Sequence, residues 1–249
     1  MNILLVNDDG IQSHGLKMMA KALSAENKVF VVAPESQRSG YSHFTSFRSP
    51  IYFADEKIDG AEAAYSISGT PADCVKFALV HLHIKPDLVV SGPNEGANYG
   101  TDVIYSGTVS AAQEGCLMGL RSVAVSCRRH KDKFLFENCV DFVLKNLGKF
   151  AEFNHPYTFL NVNIPSLPPR EIKGLRVARM GIYTFSDKYF EVEQDGKKGF
   201  TLDGEPNRVT EEYFDSDVAS VREGFITVTP IKTDRTNYEL MPRVEELFK

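Results

Sequence analysis

Short runs of apolar residues recur along the chain, and each run is followed by turn residues. A continuous apolar run of this length is typical of a parallel strand that is covered on both faces of its sheet. The runs occupy residues 3–6, 29–33, 88–90 and 123–125. They predict buried strands whose carboxyl ends lie at one edge of a common sheet.

Helical periodicity fills the gaps between these strands. Apolar residues recur at helical spacing in four segments, which contain Leu16, Met19, Ala20 and Leu23; Val75, Ala78, Leu79 and Leu82; residues 108–118; and Phe136, Val140, Val143 and Leu147. The second segment begins like a capping box, with Thr70 as the N-cap, Pro71 in the first helical position and Asp73 two residues later. Strands that alternate with helices predict an α/β fold with a doubly wound, mainly parallel sheet.

One early segment interrupts this alternation. Residues 51–53 and 64–67 look like a pair of strands around the turn Asp59-Gly60. They predict a hairpin that is inserted between the second strand and the second helix.

The last part of the chain has a different character. After about Asn161 strands and polar turns dominate, with strand-like runs at residues 177–189 and 224–229. Residues 191–217 are rich in charges and show little periodicity, which is typical of a protruding arm or of a flexible surface loop. An arm would serve oligomerisation, and the pattern alone leaves both interpretations open.

Composition excludes several classes of protein. The 249 residues include 28 Lys and Arg against 33 Asp and Glu, which gives a net charge of −5. No basic tract is present that would bind the phosphate backbone of DNA or RNA, so polymeric nucleic acid is a poor partner. No apolar stretch reaches the roughly 18 residues that a membrane-spanning helix needs. Met1-Asn2-Ile3 leads straight into a predicted core strand without a basic leader segment, so we expect a cytoplasmic protein.

Cysteine and histidine give little sign of a metal site. The four cysteines are widely spaced in apolar surroundings, which indicates buried, reduced thiols. They are Cys74, Cys116, Cys127 and Cys139. His81 and His83 do not face one point on a helix, and His14, His130 and His155 stand alone.

The sequence Asn7-Asp8-Asp9-Gly10 follows the first strand directly and carries the strongest chemical signal. Adjacent strand residues point to opposite faces, so Asp8 and Asp9 face one cation only if the chain has left strand geometry, which Gly10 permits. Two neighbouring carboxylates repel each other unless a cation, a proton or solvent intervenes. The pair predicts a site for a divalent metal, although a solvated Asp-Asp-Gly turn has the same pattern.

Other loops at the same predicted edge carry more oxygen atoms. Ser39 follows the second strand, and Asn94 and Asn98 follow the third. Two carboxylates, a hydroxyl and an amide carbonyl form an all-oxygen set, which favours Mg²⁺ or Mn²⁺ over zinc. The sequence Tyr105-Ser106-Gly107-Thr108 opens a helix whose N-terminus, with two hydroxyls, predicts a cradle for a phosphate group.

These motifs together resemble those of the SurE family. Asn-Asp-Asp-Gly, Gln-Arg-Ser-Gly, Gly-Thr-Pro-Ala-Asp-Cys-Val, Ser-Gly-x-Asn-x-Gly-Ala-Asn and Tyr-Ser-Gly-Thr-Val occur in family order, and the resemblance extends to Ile231. It implies a metal-dependent phosphatase acting on nucleoside 5′- and 3′-monophosphates, and some members also act on short polyphosphate. It further implies one Rossmann-like domain over residues 1–249, with a core at about 1–170 and a β-rich extension at about 171–249. The family forms homodimers or homotetramers through an exchanged C-terminal arm.

The resemblance also implies roles for individual residues. One divalent ion would be held by Asp8, Asp9, Ser39 and Asn94. The phosphate would contact Asn98, Ser106, Gly107 and Thr108. Asp8 and Asp9 are also the predicted catalytic residues, which activate water or, as a second route, attack phosphorus directly.

Two smaller features of the motifs need comment. Pro93 replaces an aliphatic residue of the family, and we expect metal binding to survive because proline pre-sets the turn. His43 is a candidate general acid, although the sequence favours a plain loop histidine.

Other classes of function fit less well. A dinucleotide-binding dehydrogenase needs a glycine-rich turn after the first strand, where this chain places two acids. A phospho-receiver domain also has an acidic pair there, but it needs an Asp at the end of the third strand, which here ends in Ser91-Gly92. A non-catalytic oligomeric scaffold leaves the oxygen cluster without a purpose.

Overall fold

The computed structural model describes residues 1–182, 184–207 and 215–249, and within them a nine-stranded sheet forms the centre of the molecule. Its order is β3-β4-β2-β1-β5-β6-β7-β11-β8. The strands are β1 (Asn2–Val6), β2 (Lys28–Pro34), β3 (Phe53–Glu56), β4 (Ala63–Ile67), β5 (Leu88–Glu95), β6 (Arg121–Arg128), β7 (Thr158–Pro165), β8 (Leu175–Val177) and β11 (Ile226–Lys232). A separate two-stranded ribbon contains β9 (Phe185–Gln194) and β10 (Lys197–Pro206).

Helices cover both faces of the sheet. They are α1 (His14–Leu23), α2 (Pro71–Lys76, continued by a π-helical turn Phe77–His81), α3 (Gly107–Leu117), α4 (Phe136–Glu152), α5 (Asp217–Arg222) and α6 (Met241–Leu247), with 3₁₀ turns at Gly100–Ile104, Pro169–Glu171 and Tyr238–Leu240. The four helices that periodicity predicts are therefore present. No helix among the described residues is long and apolar enough to cross a membrane.

Strand β1 shows why the sheet is covered on both sides. It pairs in parallel with β2 on one side and with β5 on the other. Ile3 and Leu5 join the cluster beneath α1 and α4, whereas Leu4 and Val6 join the cluster beneath α2. Because alternate side chains of a strand point to opposite faces, an uninterrupted apolar run fits this position. The predicted doubly wound, mainly parallel α/β sheet is confirmed.

Helix α2 begins as its sequence predicts. The Thr70 hydroxyl oxygen accepts from Asp73 N, and the Asp73 carboxylate accepts from Thr70 N, which completes a capping box. Asp73 also accepts from the backbone N–H and hydroxyl of Ser46. These bonds explain Thr70 and Asp73 as structural residues that fix the start of the helix and the preceding loop.

The inserted hairpin extends the edge of the main sheet. β3 pairs antiparallel with β4, and β4 pairs in parallel with β2. The hairpin is therefore confirmed, although β3 starts at Phe53, so Ile51 and Tyr52 lie before it.

The C-terminal part differs from the pattern-based prediction in one respect. The strand-like run at 177–189 is divided, because β8 ends at Val177 and β9 begins at Phe185. Between them Gly181 N donates to the side chain of Asp217, so this donor is not available to a strand ladder. The predicted arm at 191–217 contains most of the β9–β10 ribbon, and its residues 208–214 lie outside the described residues.

Strand β5 contains an irregularity near its carboxyl end. Its register against β6 shifts between Ser91 and Asn94, and the Gly92–Pro93 peptide bond is cis. Gly92 has φ +117°, and a Cβ there would lie 2.2 Å from the carbonyl oxygen of Val125. Only glycine fits at this irregularity, after which Asn94 resumes the pairing with β6 opposite Ser126.

We predict that Gly92→Ala lowers the free energy of unfolding by about 3 kcal/mol or more, since the backbone of β6 must move away from the new methyl group. Gly119→Ala is the matched control, because Gly119 also has positive φ but has open space around its Cβ position. That variant should lose only about 1–2 kcal/mol. Urea unfolding measures both, and equal losses would contradict the proposed steric constraint.

Candidate active site

The turn after β1 removes Asp8 and Asp9 from strand geometry. The Asn7 side chain closes this turn, because its Nδ2 donates to Gly10 O at 3.0 Å and its Oδ1 accepts from Gly10 N at 3.2 Å. Gly10 has φ +97°, a conformation that favours glycine. The two acids therefore leave the strand together at the carboxyl edge of the sheet.

Asp8 is buried against the first turn of α3. The Thr108 hydroxyl donates to Asp8 Oδ1, and a Cβ at Gly107 would fall 2.9 Å from Asp8 Cβ. Burial raises the pKa of Asp8, although hydrogen bonds from Thr108 and Gly107 oppose the shift. The close approach explains why glycine is needed at position 107.

Asp9 is held by the backbone of β5 and is also poorly solvated. Its Oδ2 accepts from Glu95 N at 3.0 Å. Burial, with the neighbouring Asp8 charge as a second cause, raises the pKa of Asp9 to about 7. Among the described residues no Lys, Arg or His forms an ion pair with either carboxylate. The pair is thus a concentrated negative charge without a protein counter-charge.

Several of the predicted site residues line one cavity of about 240 Å³. The metal-site residues among them are Asp8, Ser39 and Asn94, and the phosphate-side residues are Asn98 and Ser106. Asp9 does not line this cavity, but its carboxylate contacts Glu95, which does. The edge of the sheet thus brings together segments that are far apart in the sequence, as parallel topology predicts.

The donor atoms around this cavity fit a hard divalent cation. Asn94 Nδ2 donates to Gly96 O at 2.9 Å, and nothing in the described part of the chain donates to its carbonyl oxygen. Ser39 is exposed at the rim, where Gln37 donates to its hydroxyl oxygen. No cluster of three or more His, Cys, Asp or Glu side chains suited to a metal occurs among the described residues. An ion here would complete its shell with neutral oxygens and water, as Mg²⁺ does.

The start of α3 forms the phosphate side of the cavity. Ser106 is the N-cap, and its oxygen accepts from Val109 N at 3.1 Å, which leaves its hydroxyl proton for another acceptor. The first N–H groups of this 11-residue helix give the end a partial positive charge. The Thr108 hydroxyl differs from expectation, because it donates to Asp8 and is engaged there.

Some residues at the site carry no signal in a linear reading of the sequence. Asp102 and Tyr105 line the cavity, and Asn161 and Asn163 of β7 hold the backbone of Asn98. Polar residues at alternate positions of an otherwise apolar strand are the one clue to this pair. Their target lies more than sixty residues earlier in the chain, so the pattern does not identify it.

His43 lies away from the cavity and has a structural partner. Its Nε2 is 2.7 Å from Glu114 Oε2, and Lys76 Nζ is 2.5 Å from the other oxygen of the same carboxylate. Burial acts to raise the pKa of Glu114, but hydrogen bonds from His43 and Lys76 outweigh it and leave this pKa lowered. The contacts favour the plain loop histidine over a general acid, and they tie the loop of Ser39 to α3.

A second cavity, of about 400 Å³, lies at the opposite end of β6 and β7. It is lined by residues such as Arg121 and Thr158, where these strands begin, and no carboxylate lines it. Volume therefore does not identify the functional cavity in this fold. The functional cavity is identified by the chemistry of its lining residues and by its place at the carboxyl edge of the sheet.

Comparison with known proteins identifies the family. A family model described as Survival protein SurE matches residues 3–187. This chain belongs to the SurE family. A protein named 5′-nucleotidase SurE from Clostridium beijerinckii is 40% identical over 254 residues, covering 100% of both chains. Another of that name, from Fervidobacterium nodosum, is 41% identical over 257 residues, covering 100% of this chain and 97% of the other.

A solved structure supports the same assignment at the level of the fold. The crystal structure of the SurE protein from Aquifex aeolicus matches this chain with a TM-score of 0.82 and 37% identity, and the match covers 100% of both chains. The resemblance drawn from the sequence motifs and the predicted architecture are therefore both confirmed.

We predict that Asp9→Asn stabilises the metal-free protein at pH 8 by roughly 2–4 kcal/mol. An Asp whose pKa is raised on folding binds its proton more tightly in the folded state, so wild-type stability falls as the pH rises from about 3.8 to about 7. The Asp9→Asn variant does not lose stability in this way. The difference in unfolding free energy between the variant and the wild type should therefore shrink as the pH falls towards 4. Thermal unfolding across this range, in the presence of a chelator, measures it.

The exposed variant Asp55→Asn serves as the control for removal of a surface charge. It should change stability by less than about 0.5 kcal/mol at either pH. Equal stability of Asp9→Asn and wild type at pH 8 would mean that the carboxylate pair does not oppose folding.

Proposed function

We propose that this chain is a metal-dependent 5′-nucleotidase, which releases phosphate from nucleoside 5′-monophosphates and also from 3′-monophosphates. Short polyphosphate is a further proposed substrate. One observation carries the proposal: two adjacent carboxylates, buried Asp8 and half-buried Asp9, have no basic partner among the described residues and stand at a cavity that also meets the N-terminus of α3. The two SurE relatives described above are named for the same activity.

In this proposal Asp8, Asp9, Ser39 and Asn94 hold one divalent ion, Mg²⁺ or Mn²⁺. When bound, such an ion neutralises phosphate oxygens and makes water more acidic. The Thr108 hydroxyl orients one carboxylate and the backbone of β5 orients the other. Asp8 and Asp9 are the catalytic residues, and either is placed to accept the proton of an attacking water.

The phosphate group would lie against the start of α3. Ser106 offers its hydroxyl proton, and the positive end of the α3 dipole favours an anion at this position. Asn98 lines the same cavity and offers its side-chain amide. We assign Thr108 an indirect part through Asp8, because both its hydroxyl and its backbone N–H bind that carboxylate.

A phospho-receiver function is the main alternative and is not favoured. That function would need a phosphate-accepting Asp where the regular pairing of β5 ends, and there the chain has the fully buried Ser91 followed by Gly92. A direct attack by Asp8 or Asp9 is also less favoured than attack by water, because a nucleophilic Asp normally has its second acid two residues away, whereas these acids are adjacent. A dehydrogenase remains unfavoured, since a pyrophosphate would meet both acids after β1.

Assembly and location belong to the same proposal. The chain acts as one SurE-like domain that forms a homodimer or homotetramer through its C-terminal arm. In support, β9 pairs with β10 apart from the main sheet, and Phe190, Phe200 and Leu202 on this ribbon are exposed. A cytoplasmic location fits the four free, buried cysteines, because reduced thiols are typical of that compartment.

We expect purified protein to release inorganic phosphate from a panel of nucleoside monophosphates when Mn²⁺ or Mg²⁺ is present and to lose this activity in a chelator. Asp8→Asn should lower kcat/KM by about 100-fold or more, because the lost charge contributes several kcal/mol to the site. Asp55→Asn, on the exposed strand β3, is the control and should retain full activity.

The same assay separates the alternatives. A receiver would retain label from a phosphoryl donor, whereas a hydrolase releases it. Near-wild-type turnover in Asp8→Asn would refute the catalytic assignment, and no phosphate release from any nucleotide would refute the function.

Asn94→Ala should weaken Mn²⁺ binding by roughly tenfold, the loss that corresponds to about 1.4 kcal/mol. Stability should change little, because the side chain makes one local bond, to Gly96 O. Electron paramagnetic resonance of free Mn²⁺ measures the affinity. Asn146→Ala, which removes a local amide bond on α4, is the control. Unchanged Mn²⁺ affinity in Asn94→Ala would count against Asn94 as a ligand.

A further inference from the structure

Two side chains of β7 hold the segment that carries Asn98. Asn163 pairs with both backbone groups of Asn98: its Oδ1 accepts from Asn98 N at 2.8 Å, and its Nδ2 donates to Asn98 O at 3.0 Å. Asn161 Nδ2 donates to the same carbonyl oxygen at 2.7 Å. The Asn163 side chain thus makes the same two hydrogen bonds to Asn98 that the backbone of a neighbouring strand would make.

These asparagines are costly to bury. Both are fully buried in a strand whose other residues include Phe159, Val162 and Ile164. Asn161 Oδ1 is buried without a hydrogen-bond partner in the described part of the chain. An unpaired buried acceptor typically costs about 1–3 kcal/mol, which an apolar residue at this position would avoid. Packing alone therefore does not account for the choice of asparagine.

The opposite strand strengthens this point. Thr229 lies across from Asn161 and Thr227 across from Asn163 in the register of β11 against β7. Both threonine hydroxyl oxygens are also buried without a partner among the described residues. The amides of β7 are thus not paired with the polar groups opposite them, and their bonds run to Asn98.

The side chain of Asn98 is also held by a hydrogen bond. Its Nδ2 donates to Ser126 Oγ at 2.9 Å. Because an amide nitrogen carries two protons, one remains for a ligand. Asn98 lines the same cavity as Ser106 and Asp8. Contacts from β6 and β7 therefore fix the position of the Asn98 amide group, whose second proton is available to a ligand.

We propose that Asn161 and Asn163 are positioning residues that set Asn98 against the phosphate group of the substrate. This role rests on the proposed function, because it assumes that the cavity receives a phosphate. Neither side chain contacts the metal-site residues or lines the cavity. The two asparagines consequently affect phosphate binding and leave metal binding unchanged.

The test compares Asn161→Val and Asn163→Asp with the wild type. Asn161→Val removes one of two donors to Asn98 O together with the unpaired acceptor, so the fold should be retained. Asn163→Asp keeps the acceptor for Asn98 N but directs a carboxylate oxygen at Asn98 O. We expect the Kd of inorganic phosphate, measured by calorimetry on Mn²⁺-saturated protein, to rise by about fivefold in the first variant and about tenfold or more in the second.

Asn138→Ala is the matched control. Asn138 is also a buried asparagine with two amide bonds, but they run from α4 to Pro165 O and Leu167 O, away from the cavity. This variant should lower the melting temperature and keep the Kd of phosphate within about twofold of wild type. The affinity for Mn²⁺ should stay within about twofold in all three variants.

A phosphate Kd that stays within about twofold of wild type in folded Asn161→Val and Asn163→Asp would overturn the proposal. An equal rise in Asn138→Ala would overturn it too, because the effect would then follow stability. A wild-type protein that binds phosphate but hydrolyses no nucleotide would refute the proposed function alone. The positioning role would then still be supported by a selective rise in the Kd of the β7 variants.

Discussion

The active edge of the molecule depends on keeping Asp8 and Asp9 together despite their mutual repulsion. Their burial raises both pKa values, so the fold holds two ionisable groups in a place that disfavours their charged forms. Three structural elements enforce this: the turn closed by Asn7, the start of α3 at Thr108, and the backbone of β5 at Glu95. A cation is the natural way to relieve the repulsion, which is why the geometry favours metal-dependent chemistry.

The sheet supports this strained edge from behind. Alternate residues of β1 enter different apolar clusters, so the strand is anchored on both faces and its carboxyl end has little freedom. The loop of Ser39 is anchored differently, because Ser42 binds the carbonyls of Ile104 and Tyr105 and His43 binds Glu114. The exposed loop of Ser39 is thus fixed to α3 and to the turn that precedes it.

Local chemistry was predictable from the sequence, and long-range pairing was not. Apolar runs, capping at Thr70 and the acidic turn are set by neighbouring residues, and the structure contains them. The sequence predicts an arm at 191–217 but not the pairing of β9 with β10, because every residue of β9 is exposed and neither face gives an apolar period. The break between β8 and β9 depends on Gly181 binding Asp217, thirty-six residues away. The support of Asn98 by Asn161 is likewise invisible until the strands are placed beside each other.

The first turn of α3 links the two halves of the site. Ser106 caps the helix beside the phosphate side, Gly107 allows close contact with Asp8, and Thr108 binds the Asp8 carboxylate. A shift of this helix would therefore move the Asp8 carboxylate and the Ser106 hydroxyl at the same time. In the proposed function both groups act on one phosphorus atom, and a shared rigid element fixes their separation better than two independent loops would. The motif Ser-Gly-Thr thus sets the geometry of the candidate site through its contacts with Asp8.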